Sequence, residues 1–269
     1  AEGPGCTHKP DIKEGKIELT AAYDGCFTVR SEALLAVNRV PQVMVATRKG
    51  NTAVRAGDKL AGMRVIPLVI DEATLDEADA AAAAAPGSGP LCEVVPFCLR
   101  RVGIVTTGSE VAGGLVEDSF TPVVQAKLAA FGIEMVAHEL PGDDMEDIVA
   151  AIGRVREAGV DLVVCTGGMS VDPDDNTPGA IQRSGAEMVT YGAPVLPGAM
   201  LFVGYYADGT PVLGLPGCVM FAKATILDLV LPRIAAGIRL TRGDIVAYGE
   251  GGLCLGCEEC HYPICPFGK

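Results

Sequence analysis

The feature that most constrains the fold is an alternation of strand-like and helix-like segments after residue 100. Apolar runs at residues 102–105 and 161–165 are typical of strands that are buried on both faces. A third strand-like run covers residues 133–140. Residues 118–131 and 144–158, which separate these runs, repeat their apolar positions at helical spacing. Because parallel strands need such helical crossovers, the order β-α-β-α-β predicts an α/β domain with a mostly parallel sheet.

The chain continues beyond the third of these strands with further regular elements. They are a short helix near residues 177–184, a strand at 187–191, a hairpin around 207–209 and a last, mostly apolar helix at 217–236. No internal repeat is visible, so a repeat architecture is not expected.

The first part of the chain has a different pattern, in which short strand-like runs are separated by glycine turns. Residues 17–20, 43–47 and 65–70 are such runs. Residues 1–10 have no periodicity, which predicts a loose end. Residues 71–85 begin with acidic side chains and continue into a run of alanines, which predicts a helix. The pattern favours a small β-rich module that includes this helix.

These changes of pattern divide the chain into four parts. We predict a β-rich N-terminal module with a helix at residues 1–85, followed by a linker rich in proline and glycine at 86–98. The α/β domain is expected at residues 99–240, and a cysteine-rich tail at 241–269. A length of 269 residues is enough for two modest domains.

The composition excludes several classes of protein. With 49% hydrophobic residues, the chain is too apolar for a disordered protein. No run approaches about 18 uncharged apolar residues, so no membrane-spanning helix is expected. A net charge of −13 argues against a free nucleic-acid binder. Six scattered cysteines without a secretion signal predict a cytoplasmic protein, and a start at Ala1 rather than Met is interpreted as processing or trimming.

Two glycine-containing loops follow predicted strands and are the first candidate binding elements. In open α/β sheets, ligands bind beyond the carboxyl ends of the strands, and the amides of glycine turns can hold an anion. The pair therefore predicts a phosphate or carboxylate site, although each loop alone also fits an ordinary strand-to-helix turn. The candidate residues are Thr107, Gly108, Ser109 and Glu110 in the first loop, and Thr166, Gly167, Gly168, Met169 and Ser170 in the second.

Acidic residues surround these loops. Residues 99–269 hold 11 basic and 21 acidic side chains, a net charge of −10. Asp172, Asp174 and Asp175 follow the second loop closely, and their charge would repel an anion unless a divalent cation lies between them. This conflict predicts Mg²⁺, with Asp143 as a further candidate. The alternative is that Asp174 or Asp175 caps the next helix and that Asp143 only opens one.

The glycine loops and the acids behind them resemble the molybdopterin-binding domain. This family includes molybdopterin adenylyltransferase, molybdopterin molybdenumtransferase and gephyrin. The resemblance covers roughly residues 100–237, and it implies a three-layer α/β fold, dimeric or trimeric, that binds the phosphate-bearing molybdopterin. The matching positions are Ser109 and Glu110 in the first loop, Gly167, Gly168, Ser170 and Asp175 in the second, and Asp143, Pro197, Gly198, Pro216 and Gly217 elsewhere.

The resemblance implies a role in molybdenum-cofactor biosynthesis or delivery, with two candidate reactions. In the adenylyltransferases both acids are associated with nucleotide and Mg²⁺. Asp143 and Asp175 are therefore the candidate catalytic residues, with ATP and adenylylated molybdopterin as candidate partners. The molybdenumtransferases have a Lys-Pro-Gly-Lys-Pro loop where residues 196–200 of this chain contain no lysine. A non-catalytic module that senses the cofactor therefore stays open, as does nucleotide pyrophosphatase activity of the kind found in competence-damage proteins.

Four cysteines crowd the end of the chain at spacings typical of metal ligands. Two residues separate each of the first three, and four residues separate the last two. The run approaches a ferredoxin pattern, while a histidine directly after the third cysteine offers a zinc ligand. Zinc, an iron–sulfur cluster and a metal-free tail all remain open. The candidate ligands are Cys254, Cys257, Cys260, Cys265 and His261.

Overall fold

A computed structural model describes residues 2–8, 15–170 and 175–269. The chain divides into two compact units, Ala1–Phe97 and Cys98–Lys269. Every helix in the described ranges is too short or too polar to cross a bilayer. Asp172 and Asp174, two of the acids in the predicted cation site, lie outside the described residues.

The N-terminal unit is built from antiparallel strands and two helices. Its elements are β1 (Cys6–His8), β2 (Lys16–Ala21), β3 (Gly25–Val29), α1 (Ser31–Asn38), β4 (Val43–Thr47), β5 (Thr52–Val54), β6 (Lys59–Val65), α2 (Glu72–Ala84) and β7 (Cys92–Pro96). One sheet has the order β1-β2-β6-β4 and the other the order β5-β3-β7. Leu19, Phe27 and Leu60, which come from both sheets, share one buried core.

Three segments of this unit differ from the sequence predictions. The loose end predicted at residues 1–10 is wrong for β1, which pairs with β2 and buries Cys6. Strand β7 lies within residues 86–98, the segment assigned to a linker, because it pairs with β3 along its whole length. Helix α1 was not predicted, although Ala33 and Val37, four residues apart, are its buried positions.

Strand β6 ends earlier than the apolar run at residues 65–70 predicts. Pro67 has no amide to donate to a neighbouring strand, so it cannot continue a sheet interior. Leu68 and Val69 are consequently exposed rather than buried.

The second unit follows the α/β order expected from its periodicity. Its elements are β8 (Arg101–Thr106), α3 (Ser109–Ala112), α4 (Phe120–Ala129), β9 (Glu134–Glu139), α5 (Met145–Glu157), β10 (Leu162–Thr166), α6 (Thr177–Arg183), β11 (Glu187–Tyr191), β12 (Phe202–Tyr205), β13 (Pro211–Leu215), α7 (Ile226–Ala235) and α8 (Arg242–Val246). Short 3₁₀ helices lie at Gly217–Met220 and Ala247–Gly249.

These strands form one six-stranded sheet of order β11-β12-β13-β10-β8-β9. Strands β9, β8, β10 and β13 are parallel, while β12 and β11 extend one edge in antiparallel pairing. Every residue of β10 and β13 is buried, which requires cover on both faces of the sheet. Helices α5 and α6 cover one face through Ile148, Ile152 and Ile181. The predicted α/β fold with a mostly parallel sheet is therefore confirmed.

The single helix predicted at residues 217–236 is wrong. The structure has a 3₁₀ turn at Gly217–Met220 and a separate helix α7 that begins after Thr225. The Thr225 hydroxyl accepts a hydrogen bond from the Leu227 amide, and the Asp228 carboxylate accepts one from the Thr225 amide. This capping box starts a new helix inside what looks, by composition, like one continuous apolar run.

Gly103 in β8 is a point of close approach between the sheet and α5. A Cβ at this position would overlap the side chain of Val155. We expect Gly103→Ala to lower the free energy of unfolding by about 1–3 kcal/mol, the usual cost of overpacking. Gly153 on the exposed side of α5 is the control, because a Cβ there meets nothing within 4 Å. Gly153→Ala should stabilise the protein by about 0.5–1 kcal/mol. Urea unfolding measures both changes, and equal stabilities for the two variants would contradict the close approach.

Candidate functional site

Three parallel strands end at the same level of the sheet. Thr106 in β8 lies in register with Thr166 in β10, and Thr166 lies in register with Leu215 in β13. Because these strands run in one direction, the segments that follow them emerge at one edge. This edge is where the predicted glycine loops and the segment after Leu215 meet.

A cavity of about 460 Å³ lies at this edge, within the size range of small-ligand sites. Segments from far apart in the sequence form its wall. The predicted site residues that line it are Gly167, Gly168, Met169, Ser170, Asp175, Pro197, Gly198, Pro216 and Gly217. Leu196, Ala199, Met200 and Cys218 also line it and were not predicted as site residues. They lie within two residues of the two Pro-Gly pairs, which is the signal that could have found them.

The first glycine loop lies against the second one, and none of the described lining residues comes from it. The Thr107 amide donates a 2.8 Å hydrogen bond to the carbonyl oxygen of Thr166. The Thr107 hydroxyl lies 3.1 Å from the hydroxyl of Thr177. Gly108 makes the turn out of β8 with a φ of +142°, and Glu110 is exposed. The first loop therefore supports the second from behind, and Glu110 is not brought to the cavity.

The second glycine loop cannot accommodate larger residues. Gly167 has a φ of +82°, and a Cβ there would overlap the carbonyl oxygen of Thr107. Gly168 has a φ of +50°, and its Cβ would lie 2.9 Å from the Thr177 hydroxyl oxygen. Within the described part of the chain, the amides of Gly168 and Met169 donate to no acceptor. These two N–H groups on the cavity wall are suited to an anionic ligand.

Each glycine loop contains a serine that is held by an aspartate. The Ser109 amide and hydroxyl both donate to Oδ2 of Asp143, at 2.9 and 2.6 Å. The Ser170 amide and hydroxyl both donate to Oδ2 of Asp175, at 2.8 and 2.6 Å. The two acids therefore fix the loops through one carboxylate oxygen each.

Asp143 and Asp175 do not occupy the capping positions of the helices that follow them. Asp144, not Asp143, caps α5 by accepting hydrogen bonds from the amides of Glu146 and Asp147. Asn176, not Asp175, occupies the position before α6. In the ranges 2–8, 15–170 and 175–269, no three His, Cys, Asp or Glu side chains are grouped to hold a metal ion. A cation at the acids remains a proposal.

Tyr191 at the end of β11 is a supporting residue that sequence reasoning missed. Its hydroxyl lies 3.1 Å from each of the carbonyl oxygens of Met169 and Ser170, to which it donates. Burial and the nearby charge of Asp175 raise the pKa of Tyr191, so the hydroxyl stays protonated as a donor. Its contact depends on a strand that is remote in sequence from the loop, so no local pattern marks it.

The described residues that line the cavity carry one negative charge and no positive charge. Asp175 is acidic, and none of the others is acidic or basic. Leu196 and Ala199 stand at the two positions where the Lys-Pro-Gly-Lys-Pro loop that this segment resembles has lysines. An anion in this cavity must therefore be held by backbone N–H groups, by a cation, or by both.

The predicted metal ligands of the tail line one cavity, but among the described residues they do not form a metal site. Cys254, Cys257, Cys260, Cys265 and His261 line a second cavity of about 280 Å³. All four cysteines are free thiols. The described residues include no group of three ligands around one point, so the structure does not contain a preformed zinc site.

A largely parallel sheet with glycine loops and a cavity at its carboxyl edge defines an α/β ligand-binding domain. Residues 103–236 match the family described as a probable molybdopterin binding domain. The second unit therefore contains a member of the molybdopterin-binding domain family, as the sequence resemblance indicated. Family membership supports molybdopterin as the ligand.

Individual relatives match smaller parts of the chain. The chain is 38% identical over 90 residues to a CinA-like protein of Mycobacterium avium. The aligned segment covers 33% of this chain and 21% of that protein. A CinA-like protein of Mycolicibacterium vanbaalenii is 33% identical over 138 residues, 48% of this chain and 33% of that protein. The match thus spans about a fifth to a third of these relatives. The molybdopterin biosynthesis enzyme MoaB from Thermus thermophilus superposes with a TM-score of 0.44 at 23% identity, covering 53% of this chain and 99% of that structure.

Proposed function

We propose that the second unit binds molybdopterin in the cavity of about 460 Å³, and that the protein acts in molybdenum-cofactor biosynthesis or delivery. The observation that carries this proposal is the glycine loop on the cavity wall, with the acceptor-free amides of Gly168 and Met169. These amides would bind the terminal phosphate of the pterin, as backbone nests commonly bind phosphates. The family match of residues 103–236 covers this whole loop.

Nucleotide chemistry is the catalytic form of this proposal. Asp143 and Asp175 each use Oδ2 to hold a serine. We propose that the two acids would hold Mg²⁺, which would offset the negative charge of the phosphates of ATP or of adenylylated molybdopterin. Transfer of AMP from ATP to molybdopterin, measured with and without Mg²⁺, tests this directly. Hydrolysis of ADP-ribose, also measured with and without Mg²⁺, tests the pyrophosphatase alternative.

A non-catalytic role is favoured by a separate observation. No described residue on the cavity wall is basic, so the site offers no side chain to attract molybdate. A protein that carries or senses the finished pterin does not need one. Turnover in either assay would exclude this alternative. We also propose a homo-oligomer, dimer or trimer, which light scattering after size-exclusion chromatography would establish.

Ser170→Ala tests the position of the ligand. The substitution removes the 2.6 Å hydrogen bond to Asp175 and loosens the end of the glycine loop. A hydrogen bond contributes about 0.5–1.5 kcal/mol, so the affinity for purified molybdopterin should fall about two- to tenfold. Ser31→Ala is the control, because Ser31 is exposed in the other unit. Fluorescence titration measures the affinities. Failure of the unchanged protein to bind would overturn the proposed function, and an unaltered affinity for Ser170→Ala would overturn the loop assignment.

A further inference from the structure

The N-terminal unit contains a groove of about 800 Å³ between helix α2 and the sheet that includes β4 and β6. Residues of α1, of α2, of both strands and of the segment before β7 line it, and all of them belong to the unit Ala1–Phe97. Most of the lining side chains are apolar, among them Val37, Val45, Met63 and Leu91. We call this space the N-terminal groove.

The space exists because α2 presents small side chains to the sheet. Ala82 lines the groove from the helix, while Val45 and Met63, cross-strand partners in β4 and β6, line it from the sheet. Protein interiors contain few voids larger than a water molecule, whereas small-ligand sites are about this size. Met44 and Leu75, which also line the groove, are 37% and 42% exposed. The groove is therefore open to solvent, and a ligand can enter it.

The charged side chains of the groove leave an excess of one positive charge. Arg30 and Arg64 are basic, and Asp79 is acidic. In the described ranges, both arginines donate to backbone carbonyl oxygens and to no carboxylate, Arg30 at 2.8 Å to Gly87 and Arg64 at 3.3 Å to Val65. The Nε atom of Arg30 is buried and has no acceptor in that part of the chain. In a protein with a net charge of −13, such a wall is suited to an anion.

From this size, lining and charge we propose that the N-terminal groove binds a small amphipathic carboxylate, a molecule with an apolar body and one anionic group. The apolar body would lie between α2 and the sheet. The carboxylate would contact Arg64, the more exposed of the two arginines, whose planar guanidinium matches it in shape. A single negative charge balances the excess positive charge, whereas a phosphate monoester carries nearly two. The proposal does not depend on what the second unit binds.

Calorimetric titration of the full chain with dodecanoate, below the concentration at which it forms micelles, tests the proposal. We expect saturable binding of about one dodecanoate per chain. Ala82→Leu should lower the affinity at least about tenfold, because the larger side chain fills the space between α2 and the sheet. Ala83→Leu, at a second position on the wall, should lower it as well. Ala80→Leu is the control, because Ala80 is exposed on the same helix and is not a described lining residue.

Leucine is a good helix former, so these three variants should keep their fold, which urea unfolding checks. Unchanged protein that binds no dodecanoate would overturn the proposal. Equal affinities for Ala80→Leu and for both Ala82→Leu and Ala83→Leu would place the ligand outside the groove.

A second set of measurements tests the charge of the ligand. Arg64→Gln should lower the affinity for dodecanoate about fivefold, as expected for charges near 4 Å in a water-like dielectric. Arg39→Gln should not change it, because Arg39 is exposed and is not a described lining residue. Dodecyltrimethylammonium has the same chain with a positive charge and should bind more weakly than dodecanoate. Equal affinities for the two probes would refute an anionic ligand.

Flotation with vesicles of phosphatidylcholine and anionic phosphatidylglycerol distinguishes a free ligand from a membrane surface. We expect the protein to stay unbound, because the groove is proposed to enclose a single small molecule. Flotation of the unchanged protein that is lost in Ala82→Leu would overturn the proposal and assign the groove to a lipid surface.

Discussion

Gly167→Ala is expected to lower the affinity for molybdopterin about tenfold or more and to destabilise the second unit. A Cβ at residue 167 would overlap the carbonyl oxygen of Thr107, and the Thr107 amide is itself bonded to Thr166. The loop can relieve this contact only by moving the amides of Gly168 and Met169 from their places on the cavity wall. Overpacking costs about 1–3 kcal/mol, and about 1.4 kcal/mol changes an affinity tenfold.

Gly185→Ala separates this contact from backbone strain. Gly185 and Gly167 have similar positive φ angles, +97° and +82°, so alanine is strained at both positions. A Cβ at residue 185, however, meets nothing within 4 Å. We expect Gly185→Ala to lose about 1–2 kcal/mol of stability and to bind molybdopterin as the unchanged protein does. Calorimetric titration and urea unfolding measure the two effects. Equal affinities for the two variants would show that the glycine loop does not contact the ligand.

The architecture of the second unit was predictable because its signals are local. Residues of β10 are apolar without interruption, and α5 repeats its apolar positions at helical spacing, so each segment identifies its own conformation. The connection order then leaves a mostly parallel sheet as the natural arrangement. Prediction failed where a local polar signal was hidden, as at Thr225 and Asp228, whose capping box divides the final apolar run into two elements.

The candidate site was predictable to a smaller degree. The glycine loops could be located because they follow buried strands, and the Pro-Gly segments because they resemble a family pattern. The hydrogen bonds that organise the loops could not be foreseen. Asp143 follows the next strand after Ser109, and only the parallel register brings its carboxylate to that serine. Tyr191 reaches the second loop from an antiparallel edge strand. Such contacts depend on tertiary packing, which no sequence window contains.

The negative charges of the molybdopterin phosphate and of Asp175 lead to a prediction whose sign depends on Mg²⁺. Asp175→Asn keeps an oxygen that accepts the two hydrogen bonds from Ser170, but it removes one negative charge from the cavity wall. In EDTA, the carboxylate repels the phosphate of molybdopterin. Asp175→Asn should therefore bind more tightly, by about 1 kcal/mol or fivefold for charges near 4 Å in a water-like dielectric.

With millimolar Mg²⁺ the order should reverse. Asp175 would hold the ion, which would offset the charge of the phosphate, so the unchanged protein should gain affinity while Asp175→Asn gains little. Asp208→Asn is the charge-matched control, because Asp208 lies in the hairpin at the opposite end of β13 and pairs with Arg156. It should bind as the unchanged protein does in both buffers. An equal response to Mg²⁺ in Asp175→Asn and in the unchanged protein would remove Asp175 from the cation site. If Asp175→Asn nevertheless binds molybdopterin more tightly than the unchanged protein in EDTA, the role of Asp175 is to hold the loop, and its charge lowers the affinity for the anion.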